Sequence, residues 1–161
     1  MSSRPIFAFV LMPFDAAFND VYRIAIRDAA EAVGVRAERL DDQLYAEGML
    51  ERIYRQIEVA DVIIADMSGR NANVFYEVGY AHAKDKLCIL ITDDADSIPF
   101  DLQHRRHIVY EQSLTFLRDE LQRHLEWAKQ EVETLRQSRL RVEQAISGTL
   151  KRDAITATAQ V

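Results

Sequence analysis

One cysteine, three prolines, five glycines and one tryptophan stand among 161 residues, and each scarcity removes a class of explanation. A lone cysteine forms no internal disulfide, so no disulfide framework holds this fold. Cys88 sits inside the apolar run Leu87-Cys88-Ile89-Leu90-Ile91. It reads as a small buried hydrophobe rather than a nucleophile. The four histidines do not group with Cys88 or with acids at metal-ligand spacing, so no metal is predicted. No apolar run approaches the roughly 20 residues that span a bilayer, and no leader segment is visible. The expectation is a cytoplasmic protein with no membrane partner. Positive charge is in deficit, 20 Lys and Arg against 26 Asp and Glu for a net −6. That balance argues against a nucleic-acid polymer as partner. No internal repeat is present.

What remains is an alternation of two periodicities. Ile6 to Leu11 reads as a strand, bounded by Met12-Pro13. Phe18 to Val33 has helical spacing, with Val21, Ile24, Ala25 and Ala29 directed inward, and Gly34 ends it. Val35 to Leu40 is a second strand. Met49 to Ala60 is a second helix, with Leu50, Ile53 and Ile57 on one stripe. Val62 to Ala65, Leu87 to Thr92 and Arg106 to Tyr110 are three further strands, and Asn73 to Lys84 a third helix. Strands that are apolar throughout and alternate with helices predict a parallel sheet covered on both faces. The economical order is 2-1-3-4-5, a doubly wound, flavodoxin-like α/β fold whose crevice lies between the carboxyl ends of strands one and three.

From Ser113 to Ser147 there is neither Gly nor Pro, and Leu114, Leu117, Leu121, Leu125, Val132 and Leu135 recur at helical spacing. A single helix of that length runs about 50 Å. Arg139 interrupts the apolar seam, so a two-helix hairpin turning near Gln137-Ser138 is the alternative. The expected organisation is an α/β core over 1–112, a helix or hairpin for packing and oligomerisation over 113–147, and a weakly structured tail over 148–161.

The most informative stretch follows the third strand: Asp66-Met67-Ser68-Gly69-Arg70-Asn71-Ala72-Asn73, then a helix carrying Glu77 among apolar neighbours. Asn73 and Glu77, four apart, share a helical face. A carboxylate there can attack the anomeric carbon of a ribose or stabilise an oxocarbenium-like transition state. Asp66, at the strand end, can fix a ribose hydroxyl or handle a proton at the leaving base. Asn73 can orient Glu77. Ser68, Gly69, Arg70 and Asn71 lead into the helix start, where backbone amides and the Arg70 guanidinium suit a phosphate. Met12 and Phe14 offer an apolar wall for a base. Tyr80 is a pocket or interface residue. Gly79, costly inside a helix, leaves room for close approach of a backbone or a ligand. The plainer readings are that Asn71 or Asn73 caps the helix, Asp66 completes a turn, and Glu77 pairs with Lys84 or Arg70.

Phe9-Val10-Leu11-Met12-Pro13-Phe14, Ala60-Asp61-Val62-Ile63-Ile64-Ala65-Asp66, Gly69 through Ala83, and Pro99-Phe100-Asp101-Leu102 together resemble the nucleoside 2-deoxyribosyltransferase-like superfamily, including its TIR-like members. The match covers about the first two thirds of the chain. The resemblance implies a doubly wound fold and chemistry at an N-glycosidic bond, with Glu77 as the helix nucleophile, Asp66 beside the base or ribose and Phe14 lining the pocket. It implies a small nucleoside or nucleotide as partner and a homo-oligomer, dimer or tetramer. It implies no cofactor, although NAD is a candidate substrate, since TIR enzymes cleave NAD with a helix glutamate. The transferases commonly carry an Asp-Pro-Gly type turn where this chain has Ser68-Gly69-Arg70-Asn71, and Arg70 favours a phosphorylated ligand. A non-catalytic nucleotide-binding or signalling module, assembling through the C-terminal helices, is the alternative from another class.

Overall fold

Strand β1 (Ile6–Leu11) is buried along its whole length, as an apolar run between two helical layers must be. The structure, a computed structural model, describes residues 4–40 and 48–158, with side chains as far as residue 149. The other strands are β2 (Val35–Glu38), β3 (Val62–Asp66), β4 (Leu87–Thr92) and β5 (His107–Val109). All four pairings are parallel, in the order β2-β1-β3-β4-β5. The expected order 2-1-3-4-5 is therefore the observed one. Leu11 lies beside Ala65 and Asp66 beside Ile91, so the carboxyl ends of β1, β3 and β4 reach one edge together.

Between β1 and β2 the chain makes a 3-10 turn (Ala16–Phe18), a π-helical stretch (Val21–Ile26) and helix α1 (Arg27–Ala32). The wider π turn displaces the inward stripe. Val21, Ala25, Ile26, Ala29 and Ala30 are buried, whereas Ile24, expected inward, is 47% exposed. Gly34, at φ +72°, ends the segment as expected, its N–H donating to the Glu31 carbonyl at 3.1 Å. Helix α2 (Met49–Val59) buries Ile53 and Ile57 and leaves Leu50 largely in solvent, another departure from the expected stripe. Its last carbonyls are capped from outside the helix. Lys86 donates through Nζ to the Glu58 and Ala60 carbonyls at 2.6 and 3.0 Å.

Helix α3 (Ala72–Ala83) begins at Asn71, whose side chain accepts from the N–H groups of Asn73 and Val74. Val74, Val78 and Ala81 form its buried stripe. They pack with Ile53 and Ile57 of α2 on Phe7, Phe9 and Leu11 of β1, on Ile63 and Ala65 of β3 and on Met67 just after it. Alternation along a strand then assigns Val62, Ile64 and Asp66 to the opposite face. The buried residues of the α1 segment, together with Leu117, Leu121 and Leu125, remain to cover that face.

Helix α4 (Leu114–Thr158) is one element. No hairpin forms at Gln137-Ser138. Residues 148–158 continue the helix where a weakly structured tail was expected, and the remainder of that tail lies outside the described residues. The chain divides into two compact units, Met1–Ala128 and Lys129–Val161. The boundary thus falls inside α4 rather than at its start. Among the described residues, no helix is long and apolar enough to cross a membrane.

Candidate functional site

Glu77 is the acidic side chain of α3 that the sheet hides. It is 7% exposed, and no hydrogen bond or ion pair reaches its carboxylate among the described residues. Burial alone pushes its pKa up to about 7. A buried carboxylate without a partner costs several times what a solvated one does. Val74 and Val78, buried on either side of Glu77 along α3, fix the face that position 77 presents.

The carboxylate lines a hollow at the carboxyl end of β1, with Leu11, Met12, Phe14, Arg39, Leu40 and Ile53. Met12 is buried and Phe14, 42% exposed, forms the rim. Both were expected here. The free space is about 20 Å³, room for one water. A ribose enters only if the rim residues Phe14 and Leu40 move outward.

Arg39 was not anticipated from the sequence. It follows β2 at the sheet's carboxyl edge, where ligands of parallel sheets gather. Its guanidinium donates to Asn19 Oδ1 at 2.6 Å and to Met12 Sδ at 3.6 Å, and it covers the Tyr22 ring at 4.6 Å. These contacts hold a cation at the hollow's wall. The position of β2 beside β1 was the signal that could have found it.

Asp66 is elsewhere. The α3 layer covers the face that Ala65 and Met67 look toward, so Asp66 looks toward the other. It is fully buried. Oδ1 accepts from the Ser68 N–H at 3.0 Å and Oδ2 from the Tyr110 hydroxyl at 3.3 Å. Ser68 Oγ accepts from the Asp93 N–H at 2.9 Å and lies 3.4 Å from the Tyr110 hydroxyl. The group ties the ends of β3, β4 and β5 together. Burial pushes Asp66 up to about 6, against the hydrogen bonds of Ser68 and Tyr110, which pull it down. Burial likewise raises the Tyr110 hydroxyl. Asp66 and Glu77 therefore do not share a hollow, and a mechanism that places both acids on one sugar does not fit this geometry.

The other expected residues disperse. Asn73 is exposed, and its side chain makes no hydrogen bond to Glu77. Asn71 is the cap of α3. Ser68 belongs to the Asp66 network. Gly69 and Arg70 both take left-handed backbone, at φ +69° and +53°, unusual for an arginine. That turn sends the Arg70 guanidinium to the Asp96 carbonyl at 2.5 Å, where it lines an open groove of about 500 Å³ with Phe75 and the exposed Phe100. Tyr80 stacks on Tyr54 at 4.1 Å, and its hydroxyl donates to Glu58 Oε1 at 2.7 Å, away from the hollow. Lys84 pairs with Glu58 rather than Glu77. Among the described residues nothing approaches within 4 Å of where a Cβ on Gly79 would stand, so no described backbone of this chain accounts for that glycine.

Burial also pushes the Cys88 thiol up to about 12, which leaves it unreactive at neutral pH. Among the described residues, no group of three or more His, Cys, Asp or Glu side chains is placed to hold a metal ion.

No protein-family model matches the sequence. No curated protein matches it either. Among solved structures, one of a Burkholderia pseudomallei protein described only as pilus assembly-related is similar at 19% identity, covering 73% of this chain and 87% of that one, with a TM-score of 0.46. At that level the assignment of the fold rests on the strand order and pairing described above.

Proposed function

We propose that this chain cleaves or transfers the N-glycosidic bond of a nucleoside or nucleotide, with Glu77 as the one protein carboxylate at the sugar. The observation that carries the reading is Glu77 itself, a buried acid without a partner among the described residues, at the carboxyl edge of a parallel sheet. Departure of a base leaves positive charge on the ribose ring. A carboxylate in a dry site stabilises that charge, or bonds to C1′, more strongly than one in water. Met12 and Phe14 supply an apolar wall, and water or a second base takes the glycosyl group. No redox cofactor takes part. The acting form is a cytoplasmic homo-oligomer.

One variant of this reading is hydrolysis of NAD in the TIR-like manner, which the resemblance describes with a helix glutamate. A non-catalytic nucleotide-binding module is the rival, and the one-water size of the hollow is the observation on its side. One experiment separates the three. The protein is incubated in parallel with nucleoside monophosphates, deoxynucleosides and NAD, and free base is measured chromatographically for the native chain and for Glu77→Gln. Base released by the native chain and lost in the variant is the expected result, and the productive substrate decides between transferase-like and NAD chemistry. Saturable binding without base release, unchanged by the substitution, overturns the enzymatic reading.

A further inference from the structure

In the unit Lys129–Val161, three large aliphatic side chains stand in solvent on one stripe of α4. Leu135, Val142 and Ile146 are 64%, 58% and 55% exposed. From Leu135 the steps along the chain run four, three and four, through Arg139 and Val142 to Ile146, while Val132, three residues before Leu135, is itself buried. This seven-residue repeat is the one that lets two helices wind together with interlocking side chains. Leu140, also exposed, lies off the stripe and does not belong to it.

We infer that this face is the dimer interface of the protein, and that its occupant is the same face of a second copy running in the opposite direction. The stripe contains a charge, and the charge selects the direction. In a parallel pair Arg139 meets Arg139 of the second copy in the middle of the seam, two like charges side by side. An antiparallel pair layers Arg139 against Val142 of the second copy and Leu135 against Ile146. The arginine stem then covers apolar surface while its head reaches the flank. The flank completes the match. Arg136 and Glu143 border the stripe on the same side, and reversal brings Arg136 of each copy beside Glu143 of the other, twice by symmetry. The parallel arrangement also pairs opposite charges, Glu131 with Arg136, but at the cost of the arginine collision.

Sedimentation velocity on the full chain, at loadings up to about 50 µM, is expected to show a particle of twice the chain mass. Leu135→Asp combined with Ile146→Asp should weaken association at least about tenfold with an unchanged far-ultraviolet circular dichroism spectrum. Arg139→Leu should strengthen it. Direction is read by oxidation in a Cys88→Ser background. Chains carrying Arg139→Cys should cross-link to chains carrying Val142→Cys, and Arg139→Cys chains alone should not cross-link to one another. A monomer throughout the concentration range overturns the proposal, as does an assembly that survives the double aspartate variant. Cross-linking of Arg139→Cys chains to each other overturns the antiparallel arrangement.

Discussion

Two buried carboxylates, Glu77 and Asp66, have opposite circumstances. Asp66 accepts hydrogen bonds from Ser68 and Tyr110, while Glu77 has none among the described residues. Their chemistry should differ accordingly. If Glu77 acts ionised, turnover should rise about tenfold per pH step on the acid side and level off above about 7, a profile measurable as kcat/KM from pH 5 to 9. Glu77→Gln should remove base release and at the same time stabilise the fold at pH 8 by up to about 3 kcal/mol, because an amide escapes the charge-burial penalty. Chemical denaturation of both proteins checks this. A variant less stable than the native chain at pH 8 contradicts the unpartnered burial of Glu77. Tyr110→Phe should cost about 1–3 kcal/mol by leaving the Asp66 carboxylate short of a donor. It should leave any glycosidic activity within about twofold, since Asp66 is not among the residues lining the hollow.

At the scale of elements, α3 illustrates what local pattern tells and what it omits. Its stripe was readable from Val74-Val78-Ala81, whereas its cap was left between Asn71 and Asn73 and its bounds, read as Asn73 to Lys84, fall one residue late at each end. Gly79 was read as room for a backbone or a ligand, and no described part of this chain fills that room. Replacing it with Ala should stabilise the helix by about 0.5–1 kcal/mol, measurable in denaturant melts, because the substitution lowers backbone entropy in the unfolded chain without a clash. Asn71→Ala should cost about 1 kcal/mol for the loss of its cap bonds. The misplacement of Ile24 has a different origin. A 3.6-residue period was applied to a stretch that is π-helical, and periodicity gives no warning of the wider turn.

For the whole molecule, both raised acids act in one direction. A carboxyl whose pKa in the folded chain lies above its unfolded value adds stability that is complete below about pH 4. That stability is lost as pH rises through about 6 for Asp66 and about 7 for Glu77. Each contributes at most about 3 kcal/mol, so urea midpoints should fall between pH 5 and pH 8, and Glu77→Gln should flatten the upper part of that fall. The strand order and the layers follow from the sequence alone, because continuous apolar strands between amphipathic helices have few other ways to bury themselves. So does the presence of a carboxylate on α3, whereas the sequence left a single C-terminal helix and a hairpin both open. The tertiary structure decided which acids could meet. Asp66 and Ala65 point to opposite faces by the pleat of one strand, and only the packing of α3 on the Ala65 face put Glu77 out of reach of Asp66 and beside Met12 and Arg39.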